Sequence, residues 1–232
     1  MLFPRTVIKP GDGNPQSKEA IMVLNFSECT LARLDKTFSL KQIRTSPVSE
    51  NWLNGEAGIS DFESQALLRF REKLRLNVYD WNEAELAYNF IGPLIALADY
   101  TTDKFNFFAE RPFGGVVGDI EMRGKPDGMI ASGFREPEKP YFCFHEYKRE
   151  KDPDGDPAAQ ALAPMLVAQE ISEYRHPIYG CYVRGGLWYF ITLEKKAYCI
   201  SEGYLATRDD IFDIFRILQV LKQIIIMLTE NE

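Results

Sequence analysis

The stretch from Pro140 to Arg149, Pro-Tyr-Phe-Cys-Phe-His-Glu-Tyr-Lys-Arg, constrains the fold of this chain more than any other. It reads as a strand that is apolar until it ends in charge. Side chains alternate faces along a strand, so Glu146 and Lys148 are expected on one face with Phe142 and Phe144. An acid and an amine closing an apolar face must pair, bind an ion or do chemistry, because burying bare charge is costly. The preceding strand-like run, Gly124 to Ala131, carries Asp127, a second carboxylate that an antiparallel neighbour brings close. Two carboxylates and a lysine are the minimum for a hard divalent cation plus a group that orients or deprotonates water.

The next element begins with Asp156 as N-cap and Pro157 at the first helical position, with Gln160 in the first turn. Pro126-Asp127, then residues 128–145, then Glu146-Tyr147-Lys148 resembles the PD-(D/E)XK nuclease superfamily. The resemblance runs from Trp81 to Ser201 and rests on the order strand, strand, helix as much as on the triplet. It implies an α/β, restriction-endonuclease-like fold with a mixed central β-sheet flanked by α-helices. It also implies that Asp127 and Glu146 hold Mg²⁺, with Mn²⁺ as a substitute and the Tyr147 carbonyl as a further ligand. Lys148 would then position or activate the attacking water. Members often add a glutamate from a helix before the sheet and a glutamine from the helix after it, and Glu83 or Glu85 and Gln160 stand at those places. The implied reaction is phosphodiester hydrolysis, of DNA ahead of RNA.

Ahead of the sheet, Ser60 to Glu63 has the pattern of a capping box opening a helix to about Arg75. Trp81 to Leu86 opens a second, with Asn82 as N-cap, Glu85 three residues on, and Trp81 and Leu86 at the spacing of a hydrophobic staple. If Glu85 folds back onto the Asn82 backbone, Glu83 is the freer carboxylate; both also suit the first turn of a helix through its dipole. Pro93 predicts a kink. Phe105–Phe113 and Val116–Met122 read as strands joined at Gly114-Gly115, and the strand with Asp127 follows, giving three or four antiparallel strands in succession. Asp152 to Asp156 slightly resembles a calcium-binding loop but lacks a later glutamate, and capping by Asp156 is the simpler account. The helix from Pro157 is expected to reach about Tyr174. Ile178–Val183, Leu187–Leu193 and Ala197–Ser201 are further strands, so a helix joins the central strand to a neighbour as in a mixed sheet. Thr207 with Asp210 opens the last helix, whose broad apolar stripe marks it as a packing element. A homodimer is a further expectation, with the Ile224–Ile226 run free to face a partner chain.

Composition narrows the functional classes. At 232 residues and 45% hydrophobic, the chain suffices for one well-buried domain. Residues 1–58, irregular over 1–20 and linker-like over 45–58, are expected to be an N-terminal extension or small subdomain, and 59–232 the nuclease-like domain. No membrane span and no signal-peptide layout are read, and the four cysteines suit reduced core positions, so a cytoplasmic protein is expected. A net charge of −7 argues against broad nucleic-acid binding but leaves room for a local basic rim. Arg123, Lys125, Lys148, Arg149, Lys151, Arg175 and Arg184 are the candidates for it. With only His145 and His176 present, and His145 facing away from Glu146, histidine chemistry is poorly supported; no phosphate-binding glycine loop occurs. A catalytically idle nuclease-fold binding or regulatory module is the alternative, and a coincidental surface Glu–Lys pair the third reading.

Overall fold

The computed structural model describes residues 22–151 and 154–230. The lead-in expected over 1–20, Ile21 and Asp152 lie outside the described residues. In chain order the elements are β1 (Met22–Asn25), a 3-10 turn, α1 (Leu31–Phe38), β2 (Lys41–Gln42), α2 (Pro47–Leu53) and α3 (Asp61–Asn77). Next come α4 (Glu83–Leu86), a turn of π-helix (Ala87–Ile91), α5 (Gly92–Ala98), β3 (Phe105–Ala109), β4 (Phe113–Val117), β5 (Ile120–Gly124), β6 (Gly128–Ser132) and β7 (Glu138–Lys148). The chain closes with α6 (Pro157–Ile171), β8 (Ile178–Arg184), β9 (Leu187–Glu194), β10 (Ala197–Ile200), β11 (Tyr204–Leu205) and α7 (Asp210–Glu230).

The main sheet has the order β2-β10-β9-β8-β7-β6-β3, with β11 also on β9. It is mixed: β7–β8 and β2–β10 are parallel and the remaining pairs antiparallel. Parallel neighbours need a crossover, and α6 supplies it between β7 and β8. One face of the sheet buries Ile130, Cys143, Val183 and Trp188 against Trp52, Phe90, Ile95 and Phe215 from the helices. The other buries Met129, Phe144 and Ile191 with Leu162 and Leu166 of α6. Beyond α6 lies a small sheet, β1-β5-β4. Covered by a sheet on each side, α6 is buried from Ala158 to Gln169, which explains a helix that is apolar all round. The α/β architecture with helices flanking a mixed central sheet is as expected. Among the described residues no helix is long and apolar enough to cross a membrane, and all four cysteines are buried and free.

Several local expectations are corrected. Residues 45–58 are no linker: they contain α2, too short to show periodicity, capped by Ser46 and Ser49 and anchored by Trp52. Trp52 is 1% exposed, donates from Nε1 to the Ile217 carbonyl at 2.9 Å, and meets Tyr179 and Phe190 edge-on. Gly114 and Gly115 are not a turn but lie inside β4, where a Cβ on Gly115 would come within 2.9 Å of Val167 on α6. The hairpin turn falls at Gly118-Asp119, and β3 pairs with β6 rather than β4. Phe142 does not share a face with Phe144. The register slips between Ile130–Cys143 and Ala131–Tyr141, so Phe142 is the extra residue of a bulge and turns to the opposite core. The π-helical turn stands just before Pro93, where a kink was expected. Helix α6 stops at Ile171, with Glu173 and Tyr174 at positive φ. In α7, Ile225 turns into the core, leaving Ile226 as the exposed part of that run.

Candidate active site

The break between the two sheets builds the site. The chain leaves the small sheet at Gly124 and enters the main one at Gly128, and Pro126 suits the gap because it has no N–H to place in a ladder. Asp127 therefore sits off the end of β6, one step beyond the Gly128–His145 pair. Its Oδ2 accepts the Tyr147 N–H of β7 at 2.5 Å, and its carbonyl accepts the Glu110 N–H at 3.2 Å. Gly128 must stay bare, since a Cβ there would lie 2.4 Å from the ring of Phe107. That ring packs edge-on against His145, 5.5 Å between centroids.

Glu146 and Lys148 lie two apart on β7 and form an ion pair, Lys148 Nζ to Glu146 Oε1 2.8 Å, with side chains 11% and 12% exposed. Glu83 comes from the start of α4, its Oε1 3.8 Å from Lys148 Nζ. Glu85 is occupied: it accepts the Asn82 N–H at 2.9 Å while Asn82 Oδ1 accepts the Glu85 N–H at 2.9 Å, the expected capping box. The fold thus gathers Asp127, Glu146, Lys148, Glu83 and the Tyr147 backbone. It does not gather Gln160. Though buried in the first turn of α6, that side chain donates to the Ser27 carbonyl at 3.4 Å.

Electrostatics set the cluster apart. Burial first, then the Asp127 charge, pushes Glu146 up to about 7 despite Lys148. Burial raises Asp127 to about 6, against the pull of the Tyr147 N–H and Lys148. Burial opposes charge on Lys148 too, but Glu146, backed by Glu83 and Asp127, prevails and its pKa rises. Several acids thus share one lysine, and excess negative charge is held in a partly dry site. His145 is turned away, its Nδ1 2.9 Å from the Tyr147 hydroxyl, and burial lowers it to about 3, so it stays neutral.

A cavity of about 590 Å³ opens beside the cluster, lined by Asp127, Tyr147, Glu83 and Glu110 and walled by α4–α5 and β3. Glu110 and Tyr88 are its lining residues that no sequence signal marks. A larger cavity, about 740 Å³, lies between α2 and β9–β10, with Arg44, Glu50 and Tyr204 in its lining and none of the charged cluster. Of the basic residues, Arg123, Lys125 and Lys151 pair with Glu121, Glu110 and Asp80 at 3.6, 3.5 and 3.4 Å. Arg175 lies far from the cluster, lining a cavity with Lys139 at the start of β7. Among the described residues, no three His, Cys, Asp or Glu side chains converge to hold a metal ion by themselves.

No protein-family model and no curated protein matches the chain. Among solved structures, the chain is similar to "cryoEM structure DrdV-DNA complex", at 13% identity and a TM-score of 0.41. The match covers 68% of this chain and 14% of that one, so the chain spans a small part of that protein's length.

Proposed function

We propose that this chain is a Mg²⁺-dependent nuclease of PD-(D/E)XK type, hydrolysing phosphodiester bonds in DNA ahead of RNA. The observation that carries the reading is the half-buried Asp127 and the buried Glu146 at the ends of adjacent strands, with the Lys148 ammonium 2.8 Å from Glu146. A purely structural ion pair needs one acid for one base. Here Asp127 adds a second carboxylate whose charge burial makes unfavourable, the exposed Glu83 adds negative charge beside it, and a cation would cancel both. The donors are hard oxygens, and Mg²⁺ usually takes one or two carboxylates and keeps several waters. Asp127, Glu146 and the Tyr147 carbonyl fit that demand, and Mn²⁺ would suit the same set. Bound there, the ion would supply Lewis acidity and a hydroxide-like nucleophile.

The chain's own groups do the rest. Lys148 is held protonated by its acids, so it serves as a fixed positive charge that orients the water or stabilises the phosphoryl oxygens, and not as a base. Glu83 steers that ammonium. Gln160 would reach the water only by giving up its contact with Ser27. The second reading, a nuclease-fold module without turnover, draws on the rim, where Arg123, Lys125 and Lys151 are already paired with acids and offer phosphate little free charge.

The test is calorimetric titration of Mg²⁺ and Mn²⁺ into the protein and into an Asp127→Ala, Glu146→Ala double variant, followed by cleavage assays on DNA and RNA. Binding lost in the variant, with Mn²⁺-dependent cleavage by the parent, is the expected outcome. Binding unchanged in the variant would sink the proposal. Binding without cleavage would favour the idle module.

A further inference from the structure

We infer that the cavity beside the acid pair seats one unpaired nucleobase, so that the substrate class is single-stranded nucleic acid or duplex ends with an unpaired nucleotide. The inference rests on the nuclease reading of the site. Asp127 belongs to both: the carboxylate proposed to act at the scissile phosphate also lines the cavity. A phosphate held there leaves the adjoining base next to the opening. The space, about 590 Å³, lies within the range of ~300–1,000 Å³ typical of small-ligand sites. Four small residues, Ala84, Ala87, Gly92 and Ala109, are among its lining.

The chemistry of the lining selects a base over a phosphate. Glu83 and Glu110, though each has a lysine ammonium nearby, at 3.8 and 3.5 Å, are carboxylates that favour N–H groups over anions, as they accept from exocyclic amines of bases. Tyr88 stands in the lining 80% exposed, an aromatic surface with little packing role in the fold. Base–aromatic stacking is the usual grip on single strands. Tyr88 also belongs to the π-helical turn Ala87–Ile91, a local widening of the kind found at functional sites. A base paired within a duplex would have to leave its stack to enter, which costs energy that an unpaired base avoids.

The experiment is fluorescence anisotropy with a short labelled single strand and with the blunt duplex of the same sequence, in Ca²⁺, on the full chain. Two variants are compared: Tyr88→Ala, which removes an exposed ring, and Ala87→Phe, which fills the space. The expected result is that each weakens single-strand binding by about tenfold, as loss of one stacked base implies, and leaves duplex binding unchanged. Single-strand binding equal to the parent in both variants would overturn the inference. Cleavage by the parent in Mn²⁺ is read separately. Cleavage with no effect of either variant on binding removes the base seat alone, whereas variant-sensitive binding without cleavage keeps the seat and removes the nuclease reading.

Discussion

Glu146 shows how one residue can be held against its own preference. Its carboxyl is pushed to about 7 and that of Asp127 to about 6, from ordinary values of 4.5 and 3.8. The folded chain therefore keeps protons that the unfolded chain releases. Stability from this pair is present below about pH 4 and is lost as pH rises through 6 to 7. Without divalent cations, Tm should fall across that window, and Mg²⁺ should oppose the fall above it. Glu146→Gln removes the charge while keeping the shape. It should flatten the slope and stabilise the cation-free protein near pH 8 by on the order of 1–3 kcal/mol, at roughly 1.4 kcal/mol per pKa unit. Thermal melts of both proteins in chelator, at acid and alkaline pH, check this; a Tm equal to the parent's or lower near pH 8 would show that Lys148 outweighs burial. At the same scale, Phe142 shows how one bulge defeats simple alternation: the pattern of two holds for Phe144, Glu146 and Lys148 and fails two residues earlier, at Phe142.

At the scale of elements, caps were the clearest local signals. Ser60–Glu63 and Asn82–Glu85 both form reciprocal boxes. The second has a consequence for the site, since occupying Glu85 leaves Glu83 to face Lys148. Asn82→Ala should cost about 1 kcal/mol, read by denaturant unfolding; a loss of only a few tenths would mean that packing alone sets the start of α4. Glycine pairs were the weakest signals. Gly185 has positive φ and serves the β8–β9 turn, whereas Gly114 and Gly115 serve close approach inside β4. Two identical dipeptides thus have opposite meanings, because the second depends on α6 packing across the strand, a contact remote in sequence. Helix α2 was hidden for a related reason: its seven residues are stabilised through Trp52 in a core built from β8 and β9.

For the whole molecule, residues 22–58 are woven into both sheets. β1 pairs with β5, β2 pairs with β10, and Leu24, Phe26, Leu34 and Trp52 are all 4% exposed or less. A chain beginning at residue 59 should lose its cooperative thermal transition, since deleting one large buried side chain alone costs about 3–5 kcal/mol. A sharp transition at the parent's Tm would instead make 59–232 a self-sufficient unit. The sequence by itself determined the α/β class, the crossover helix after the central strand and the placing of Glu146 and Lys148 two apart, because alternation, caps and turn residues act within a few residues of each other. Only the tertiary structure decided that the strands on either side of Asp127 belong to different sheets, that Gln160 turns to Ser27, and that Glu110 and Tyr88 line a cavity beside the acids. Those outcomes depend on strand pairing and layer packing between segments far apart in the chain, and no local pattern carries them.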